Sequence, residues 1–309
     1  MAVLVGSWPG VEAPPLLSDT DPDPGLFGPD SATWLVAREP LLLLGGGRAL
    51  LMQVADPLVG QAVVEHSGYT TDPFGRLVRT VRWLVAVTFG TTAEAQRATA
   101  AVQAGHRPVR GRLDAANAGG RLVAGTPYSA DDADLAAWVH ATIVQSMLVS
   151  REALVGPLER HQRDALVREW QVVGVMFGVA ADALWDDAGS LDRWISDRCA
   201  ALPPAPPASV AAARVVLRPP LPSRVLRPAF AGVAFLTAGL LDEPMRRGFG
   251  VRWTAAHQRA HNAACAGLRG VHPMLPRPLR ISPLHDAALA RTQGHGLRRK
   301  PPRRAMVVP

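Results

Sequence analysis

Apolar residues spaced three and four positions apart dominate the chain from about residue 31 to residue 200. This spacing is typical of amphipathic helices, and it is clearest in residues 49–67, 92–106, 132–149 and 168–179. Alternation with a period of two residues is scarce, and no Asn-Gly hairpin occurs. The sequence therefore predicts an all-α fold, and a fold built on a large sheet is not expected.

Two further segments set the predicted domain organisation. Residues 1–30 are rich in Pro, Asp and Gly and show little periodicity, which indicates an extended arm. Residues 202–228 contain eight prolines, which predicts a connector between lobes or a surface wrap without a continuous helix. We therefore expect a single all-α domain over residues 31–290, with a C-terminal helical lobe after the proline-rich segment.

The positive charge of the chain is concentrated at its end. The formal net charge is +7, and six cations with no acid lie in residues 291–309: Arg291, Arg298, Arg299, Lys300, Arg303 and Arg304. Removing these six charges leaves +1 for residues 1–290. We therefore expect no nucleic-acid partner, and we predict a disordered basic tail over residues 291–309 that could touch an anionic surface.

Cysteine content and apolar runs bear on location. Only Cys199 and Cys265 are present, so no disulfide framework is expected. The first fifteen residues lack the basic and apolar regions of a signal peptide. The most apolar runs, at 41–47, 48–55 and 230–241, are shorter than the roughly 20 residues of a membrane span. These features favour a cytoplasmic protein without a membrane span.

Two short motifs carry weaker indications. Residues 45–50 (GGGRAL) lack the third glycine of a dinucleotide fingerprint and the Gly-Lys-Ser/Thr of a P-loop, so a tight turn between closely packed helices is favoured. His257, His261 and Cys265 share one helical face and form a candidate metal stripe. A polar helix face is the alternative interpretation, because no general-base Glu lies between the two histidines.

One predicted helix carries an unusual mixture of side chains on a single face. The segment DPFGRLVRTVRWL (72–84) begins with Asp72 and a proline, which is a helix start signal. Arg76, Thr80 and Trp83 then fall on one stripe of this helix. A solvated face would exclude the tryptophan and a plain core would exclude the arginine, so the stripe suggests the wall of a binding site.

Two histidines lie within apolar helical segments. His106 ends the segment 92–106, and Pro108 disfavours helix at the intervening residue, so a kink is expected directly after His106. His140 lies among apolar residues of segment 132–149. A lone histidine on an apolar face is most often a core residue. A haem site also requires such residues: an imidazole for the iron, apolar side chains around the ring, and an arginine for the carboxylate groups of the haem. Both interpretations, core histidines and haem site, stay open here.

An ordered series of segments resembles the catalytic domain of the oxygenase MpaB and of rubber oxygenase (latex-clearing protein). The resemblance covers most of residues 35–290 and is carried by residues 41–67, 70–95, 106–113, 127–144, 168–179 and 279–291. It implies an all-α fold with a globin-like core and one b-type haem. The order of the segments is far more specific than any one of them.

The resemblance also assigns roles to individual residues. The Arg-x-x-x-Thr element of the rubber oxygenases corresponds to Arg76 and Thr80, and the iron-ligating histidine corresponds to His106. Arg76 is expected to pair with a haem propionate or polarise the distal side, and Thr80 to donate a hydrogen bond near bound oxygen. His140 matches a second family histidine, expected as a pocket residue and as the alternative iron ligand. Trp83 completes the cofactor wall.

The chain departs from the family pattern at three places. Arg79 stands where the rubber branch has a lysine that binds iron, and a guanidinium cannot ligate a metal, so an open or water-filled sixth site is expected. Asp56 stands where family members often have histidine. The acid–base glutamate has no clear match, since Glu65 is nearby but not aligned.

The favoured hypothesis is a haem-b-dependent oxygenase that uses O2 to oxidise an apolar substrate or to cleave its double bond. A haem-binding carrier or sensor without turnover is the first alternative, and the unmatched acid–base glutamate favours it slightly. A cofactor-free helical interaction module is the second alternative. Hydrolase chemistry is not expected, because neither a Gly-x-Ser-x-Gly elbow nor a paired-carboxylate pattern occurs.

Overall fold

Helices make up almost all of the regular structure. The computed structural model describes residues 17–18, 21–69, 71–220 and 223–294. The helices of the described residues are α1 (Ala32–Ala37), α2 (Leu43–Ala55), α3 (Pro57–His66), α4 (Pro73–Phe89), α5 (Thr92–His106), α6 (Ala133–Leu154), α7 (Arg160–Met176), α8 (Ala188–Ala201), α9 (Pro207–Leu217), α10 (Arg227–Gly239), α11 (Glu243–Gly248), α12 (Ala255–Val271), α13 (Arg277–Arg280) and α14 (Pro283–Thr292). Strands β1 (Arg110–Arg112) and β2 (Pro127–Ser129) pair antiparallel. The all-α prediction is confirmed.

The predicted helix starts coincide with side-chain caps. The Asp72 carboxylate accepts from the backbone N–H of Gly75 at 2.9 Å and begins α4. Thr91 and Glu94 form a capping box that begins α5 two residues after α4 ends. The Asp132 carboxylate caps α6. Each cap satisfies backbone donors that the first helical turn leaves unpaired. The short link between α4 and α5 makes them an antiparallel hairpin.

Helix α6 is the centre of the core. It packs against α2 along most of its length and also contacts α7, α8 and α12. Its Trp138 is fully buried, as are Leu148 and Leu154 on the same helix. Trp170 of α7 is also fully buried and belongs to the same hydrophobic cluster. Burial of apolar surface on this scale is the main driving force for such a helical assembly.

The glycine-rich motif lies inside helix α2, so the predicted tight turn was wrong. A Cβ atom on Gly45 would overlap Ser150 Oγ of α6 and lie 2.7 Å from Ser150 Cβ. A Cβ atom on Gly47 would lie 2.9 Å from the Thr237 side chain of α10. The glycines therefore allow α2 to approach two helices closely, as the prediction of close helix packing required.

The proline-rich segment contains a helix, contrary to expectation. Helix α9 begins at Pro207, with Pro206 as its N-cap, because a proline in the first turn costs no hydrogen bond. It ends two residues before Pro219. Its buried Ala212 and Ala213 face α2 and α3. One of the eight prolines is the first residue of this helix and the other seven lie outside it, so their density across residues 202–228 did not exclude a helix.

The N-terminal arm and the last helix are joined at the α4–α5 turn. Arg291 of α14 is buried, and its Nη2 donates to the carbonyl of Phe89 at 2.9 Å and of Asp23 at 3.1 Å. The predicted tail boundary at 291 therefore falls inside α14, and Arg291 is a structural residue. The other five tail cations lie outside the described residues.

Within the described part of the chain, no single helix has both the length and the hydropathy of a membrane span. The segments Pro40–Ala55 and Pro57–His66 reach these values only as a pair, and they are bent by 107° relative to each other.

Candidate functional site

The α4–α5 hairpin places Arg76 and His106 side by side. Trp83 Nε1 of α4 donates to Thr99 Oγ1 of α5 at 3.2 Å, which fixes the alignment of the two helices. Arg76 lies seven residues before Trp83, and His106 lies seven residues after Thr99. Because the helices are antiparallel, both residues are about two turns from this hydrogen bond in the same direction. The two residues predicted to bind the cofactor therefore lie at the same level.

Arg76 is partly buried and held by a neighbouring helix end. Its Nη1 donates to Ser67 Oγ at 2.9 Å. Burial, and then the charge of Arg79, lower the pKa of Arg76. Thr80 is exposed, and its hydroxyl donates to the carbonyl oxygen of Arg76 at 3.1 Å. Arg79 is exposed and pairs with Asp72 at 3.1 Å. Of the two arginines, Arg76 therefore has the more restricted surroundings.

His106 is half-buried at the end of α5. The helix ends there, as Pro108 predicted, and the next residue, Arg107, is its C-cap. Burial lowers the pKa of His106; the charge of Asp131 raises it and the charge of Arg76 lowers it. The net direction is downward, so the ring is neutral at pH 7 and presents an unprotonated nitrogen, the form that ligates a metal.

Phe177, at the C-terminal end of α7, contacts both the tryptophan and the histidine of the hairpin. Its ring centroid lies 5.6 Å from that of Trp83 and 6.3 Å from that of His106. Gln103 Nε2 donates to the carbonyl of Met176 at 2.5 Å, which holds the end of α7 against α5. The Trp83 end of the stripe is therefore closed by an aromatic ring. The Arg76 end remains open, since Thr80 is exposed and Leu77, next to Arg76 in the sequence, is 48% exposed.

His140 lies apart from this group, in an aromatic box of the core. Its ring stacks on Trp185 at 6.2 Å with an interplanar angle of 12°, and lies 6.3 Å from the ring of Trp170. Burial lowers the pKa of His140 to about 4, so it is neutral. A Cβ atom on Gly174 would lie 3.3 Å from His140 Cδ2, and Gly174 is one helical turn before Phe177. His140 therefore lies in the core, beside the helical turn of α7 that precedes Phe177.

The comparison with protein families decides the relationship. The family described as "ER-bound oxygenase mpaB/B'/Rubber oxygenase, catalytic domain" matches residues 33–270, about three quarters of the chain. The chain belongs to this family. Comparison with curated proteins and with solved structures gave no significant match. Membership in the mpaB/rubber oxygenase family indicates oxygenase activity as the general class of reaction.

Membership leaves the individual site residues of this mpaB/rubber oxygenase domain to be tested. The structure brings Arg76, Thr80 and His106 to one end of the hairpin, and it connects Trp83 to His106 through Phe177. It places His140 in the core. The roles expected for Arg76, Arg79, Thr80, Trp83, His106 and His140 stay predictions.

Two contacts of this mpaB/rubber oxygenase domain escaped the sequence analysis. Ser67 follows the end of α3, and nothing in its local sequence distinguishes it from an ordinary polar cap. Phe177 lies in residues 168–179, one of the segments that carry the resemblance, and this was the only available indication. Both meet the hairpin through tertiary packing.

Beside Ser67, a polar network joins helix α3 to the β1–β2 hairpin. The Tyr128 hydroxyl donates to Glu65, and His66 Nε2 lies 3.1 Å from the same hydroxyl. Gln61 Nε2 donates to Glu65 at 2.5 Å and to Asp114 at 2.9 Å. Burial, and then the hydrogen bond and charge of Glu65, raise the pKa of Tyr128, so the phenol stays protonated. Glu65, which could not be aligned with the acid–base glutamate of the family, is thus held by hydrogen bonds from Tyr128 and Gln61.

Asp56 and the candidate metal stripe have structural roles. The Asp56 carboxylate caps α3 by accepting from the backbone N–H of Leu58 at 2.9 Å, and it pairs with Arg198 at 3.1 Å. His257 forms a capping box with Thr254 at the start of α12 and so faces its own helix end. Among the described residues, no three His, Cys, Asp or Glu side chains gather around a metal position.

Proposed function

We propose that the protein is a haem-b-dependent oxygenase whose haem is held at the Arg76–His106 end of the α4–α5 hairpin. The observation that carries the proposal is the alignment of a half-buried neutral imidazole with a partly buried guanidinium at one level of two antiparallel helices. Family membership supports the oxygenase class, and the resemblance of the sequence supports the haem.

The donor set at this end of the hairpin fits a haem in three respects. His106 would hold the haem iron, because its neutral imidazole offers an unprotonated nitrogen. Arg76 provides a cation for a propionate. Exposed Leu77 and Phe177, which contacts His106, would provide apolar contacts. The aromatic box around His140 is closely packed, which favours His106 as the ligand.

The haem, when bound, would supply the redox-active iron at which O2 is activated. The side chains of the chain then bind and orient. His106 would hold the cofactor through one ring nitrogen, and Arg76 would hold a propionate. Thr80 is exposed on the stripe, one turn from Arg76, and its hydroxyl would rotate away from the Arg76 carbonyl to donate its proton to an oxygen atom. Arg79 would provide no ligand to the iron, because a guanidinium group does not bind metals.

The substrate we propose is a small apolar molecule, oxidised or cleaved at a carbon–carbon double bond with O2 as co-substrate. Exposed apolar side chains such as Leu77 line the open end of the stripe and would contact the substrate.

The cytoplasmic location expected from Cys199 and Cys265, which are free thiols, stays a prediction that cell fractionation would test.

The decisive experiment is the visible absorption spectrum of the protein as isolated, before and after reduction with dithionite. A Soret band that shifts on reduction is expected. A colourless protein that also fails to bind added haemin would overturn the proposal and favour the cofactor-free helical module. Oxygen consumption with isoprenoids and unsaturated lipids then separates an oxygenase from a haem carrier or sensor, because only the oxygenase consumes O2 in a substrate-dependent way.

A further inference from the structure

An apolar surface projects at the start of α10, away from the core. Residues 223–229 and 231–233 are all exposed. They include Val225, whose side chain is among the most exposed large hydrophobics of the described chain at 84%. Leu226 and Val233 are exposed as well. Single exposed apolar residues are ordinary, but a contiguous group of them marks an interaction site.

This surface continues onto α4. The rings of Phe74 and Phe230 meet edge to face, with centroids 6.1 Å apart. Leu77, one turn beyond Phe74, is 48% exposed. We call the group formed by Val225, Leu226, Phe230, Val233 and Leu77 the α10 face. Two helices distant in sequence thus contribute to one apolar surface.

The segments that carry and adjoin the α10 face are poor in acidic residues. The helices in contact with α10, namely α2, α9 and α12, contain none. No acidic residue occurs between Asp197 and Asp242, whereas this stretch contains Arg198, Arg214, Arg218, Arg224 and Arg227. Arg224 and Arg227 are exposed and flank Val225 and Leu226 directly. On α4 no acid occurs between Asp72 and Glu94, and Asp72 is paired with Arg79. An apolar and anionic surface is therefore complementary to this face.

We propose that the α10 face docks this protein onto the surface of an anionic lipid bilayer. Apolar side chains flanked by arginines are the composition by which a helix lies in the interface plane, with aliphatic groups among the acyl chains and guanidinium groups at the phosphates. The docking differs from spanning, because α10 contributes its first turns only. The face adjoins the open end of the Arg76 stripe through Leu77, so an apolar substrate could enter from the membrane.

The test is co-sedimentation of the full-length protein with vesicles of phosphatidylcholine and phosphatidylserine at 3:1, compared with pure phosphatidylcholine. Binding to the anionic vesicles that weakens with added salt is expected. The double variant Val225→Asp/Val233→Asp should lose more than about tenfold in partition coefficient, because it places two charges in the acyl region. Arg224→Gln should lose about fivefold, the effect of one basic residue near the surface.

Matched controls separate this face from general surface effects. Val123→Asp introduces one negative charge, half of that in the double variant, at a site 67% exposed on the loop between the two strands. Arg160→Gln removes an arginine whose side chain is 93% exposed on α7. Neither control should change vesicle binding. Circular dichroism of each variant shows whether it is folded.

Four outcomes would overturn the proposal. The first is no binding to anionic vesicles, and the second is equal loss in the Val225→Asp/Val233→Asp and Val123→Asp proteins. The third is loss of binding only on deletion of residues 295–309, which would assign the contact to the basic tail. The fourth is a dimer that the Val225→Asp/Val233→Asp variant dissociates, which would assign the face to a second copy of the chain. None of these results depends on haem, so the proposed function can fail or stand separately.

Discussion

Arg76 and His106 lie at the same level of two antiparallel helices, each two turns from the hydrogen bond between Trp83 and Thr99. The positive charge of Arg76 helps to lower the pKa of the His106 imidazole. A cation beside a histidine is unfavourable for a protonated ring and harmless to a neutral one. The hairpin therefore maintains an arrangement suited to a neutral imidazole and an anionic group that pairs with the arginine.

Arg76→Met should weaken haem retention. The substitution keeps much of the apolar volume and removes the cation that we assign to a propionate, so the dissociation constant should rise about tenfold to a hundredfold. Arg79→Met on the same helix removes an exposed cation and should leave the dissociation constant unchanged. Titration of each apoprotein variant with haemin measures this constant. Equal values for the two variants would show that Arg76 does not contact the propionate.

His106→Ala should abolish the Soret band, and His140→Ala should keep it. The His106 ring is half-buried, so its removal should cost about 1 kcal/mol of folding stability or less. His140 is buried between tryptophans, so its removal should cost about 2–4 kcal/mol by leaving a cavity. Absorption spectra and urea unfolding provide the two measurements. A Soret band that survives in His106→Ala and disappears in folded His140→Ala would reverse the assignment.

The parts of the fold that the sequence predicted are those decided by local interactions. The start of α4 at Asp72, the start of α6 at Asp132 and the end of α5 at His106 depend on side chains within a few residues of each boundary. Capping and the restriction before proline act over that range. A single sequence was therefore sufficient to locate them.

The parts that were missed depend on contacts between residues far apart in sequence. Gly45 looked like a turn residue because its partner, Ser150, lies more than a hundred positions away. Phe177 meets His106 only after α7 packs against the hairpin. Arg291 looked like part of a charged tail because its acceptors belong to Asp23 and Phe89. Composition and periodicity contain no information on such pairs.

Gly45→Ala should destabilise the protein, whereas Gly46→Ala should stabilise it. The Cβ atom at position 45 would overlap Ser150 and force α2 away from α6, at a cost of about 1–3 kcal/mol. A Cβ atom at position 46 meets nothing within 4 Å, and alanine has the higher helix propensity by about 1 kcal/mol. Urea unfolding measures the free energy of unfolding of both variants. Changes of the same sign in the two variants would contradict the close packing of α2 on α6.

Arg291→Ala should cost about 2–4 kcal/mol of folding stability. The substitution leaves the buried carbonyl oxygen of Phe89 and that of Asp23 without this donor, and it empties the volume of a buried side chain. Arg160→Ala removes an arginine that is almost fully exposed and should change stability by less than about 0.5 kcal/mol. Thermal or urea unfolding measures the stability of both variants. Equal stabilities would show that Arg291 has no structural role and belongs with the basic tail.

His140 should make folding stability depend on pH between about 6.5 and 4. Burial lowers the pKa of His140 to about 4 from an ordinary value of 6.5. In that interval the unfolded chain binds a proton and the folded chain does not, so stability rises with pH. The contribution is therefore fully present above about pH 6.5 and decreases as the pH falls toward 4. A pKa difference of about 2.5 corresponds to about 3 kcal/mol.

The replacement His140→Gln removes this titration and keeps a polar side chain of similar size. Urea unfolding at pH 7.5, 6.0 and 4.5 should show a smaller loss of stability on acidification in the variant than in the parent protein. The difference between the two losses should reach about 2–3 kcal/mol at pH 4.5. Titration of carboxylates and of His106 is common to both proteins and cancels in the comparison. Parallel stability curves would mean that the His140 ring is protonated or solvated in the folded state, and the aromatic box would then be open to water.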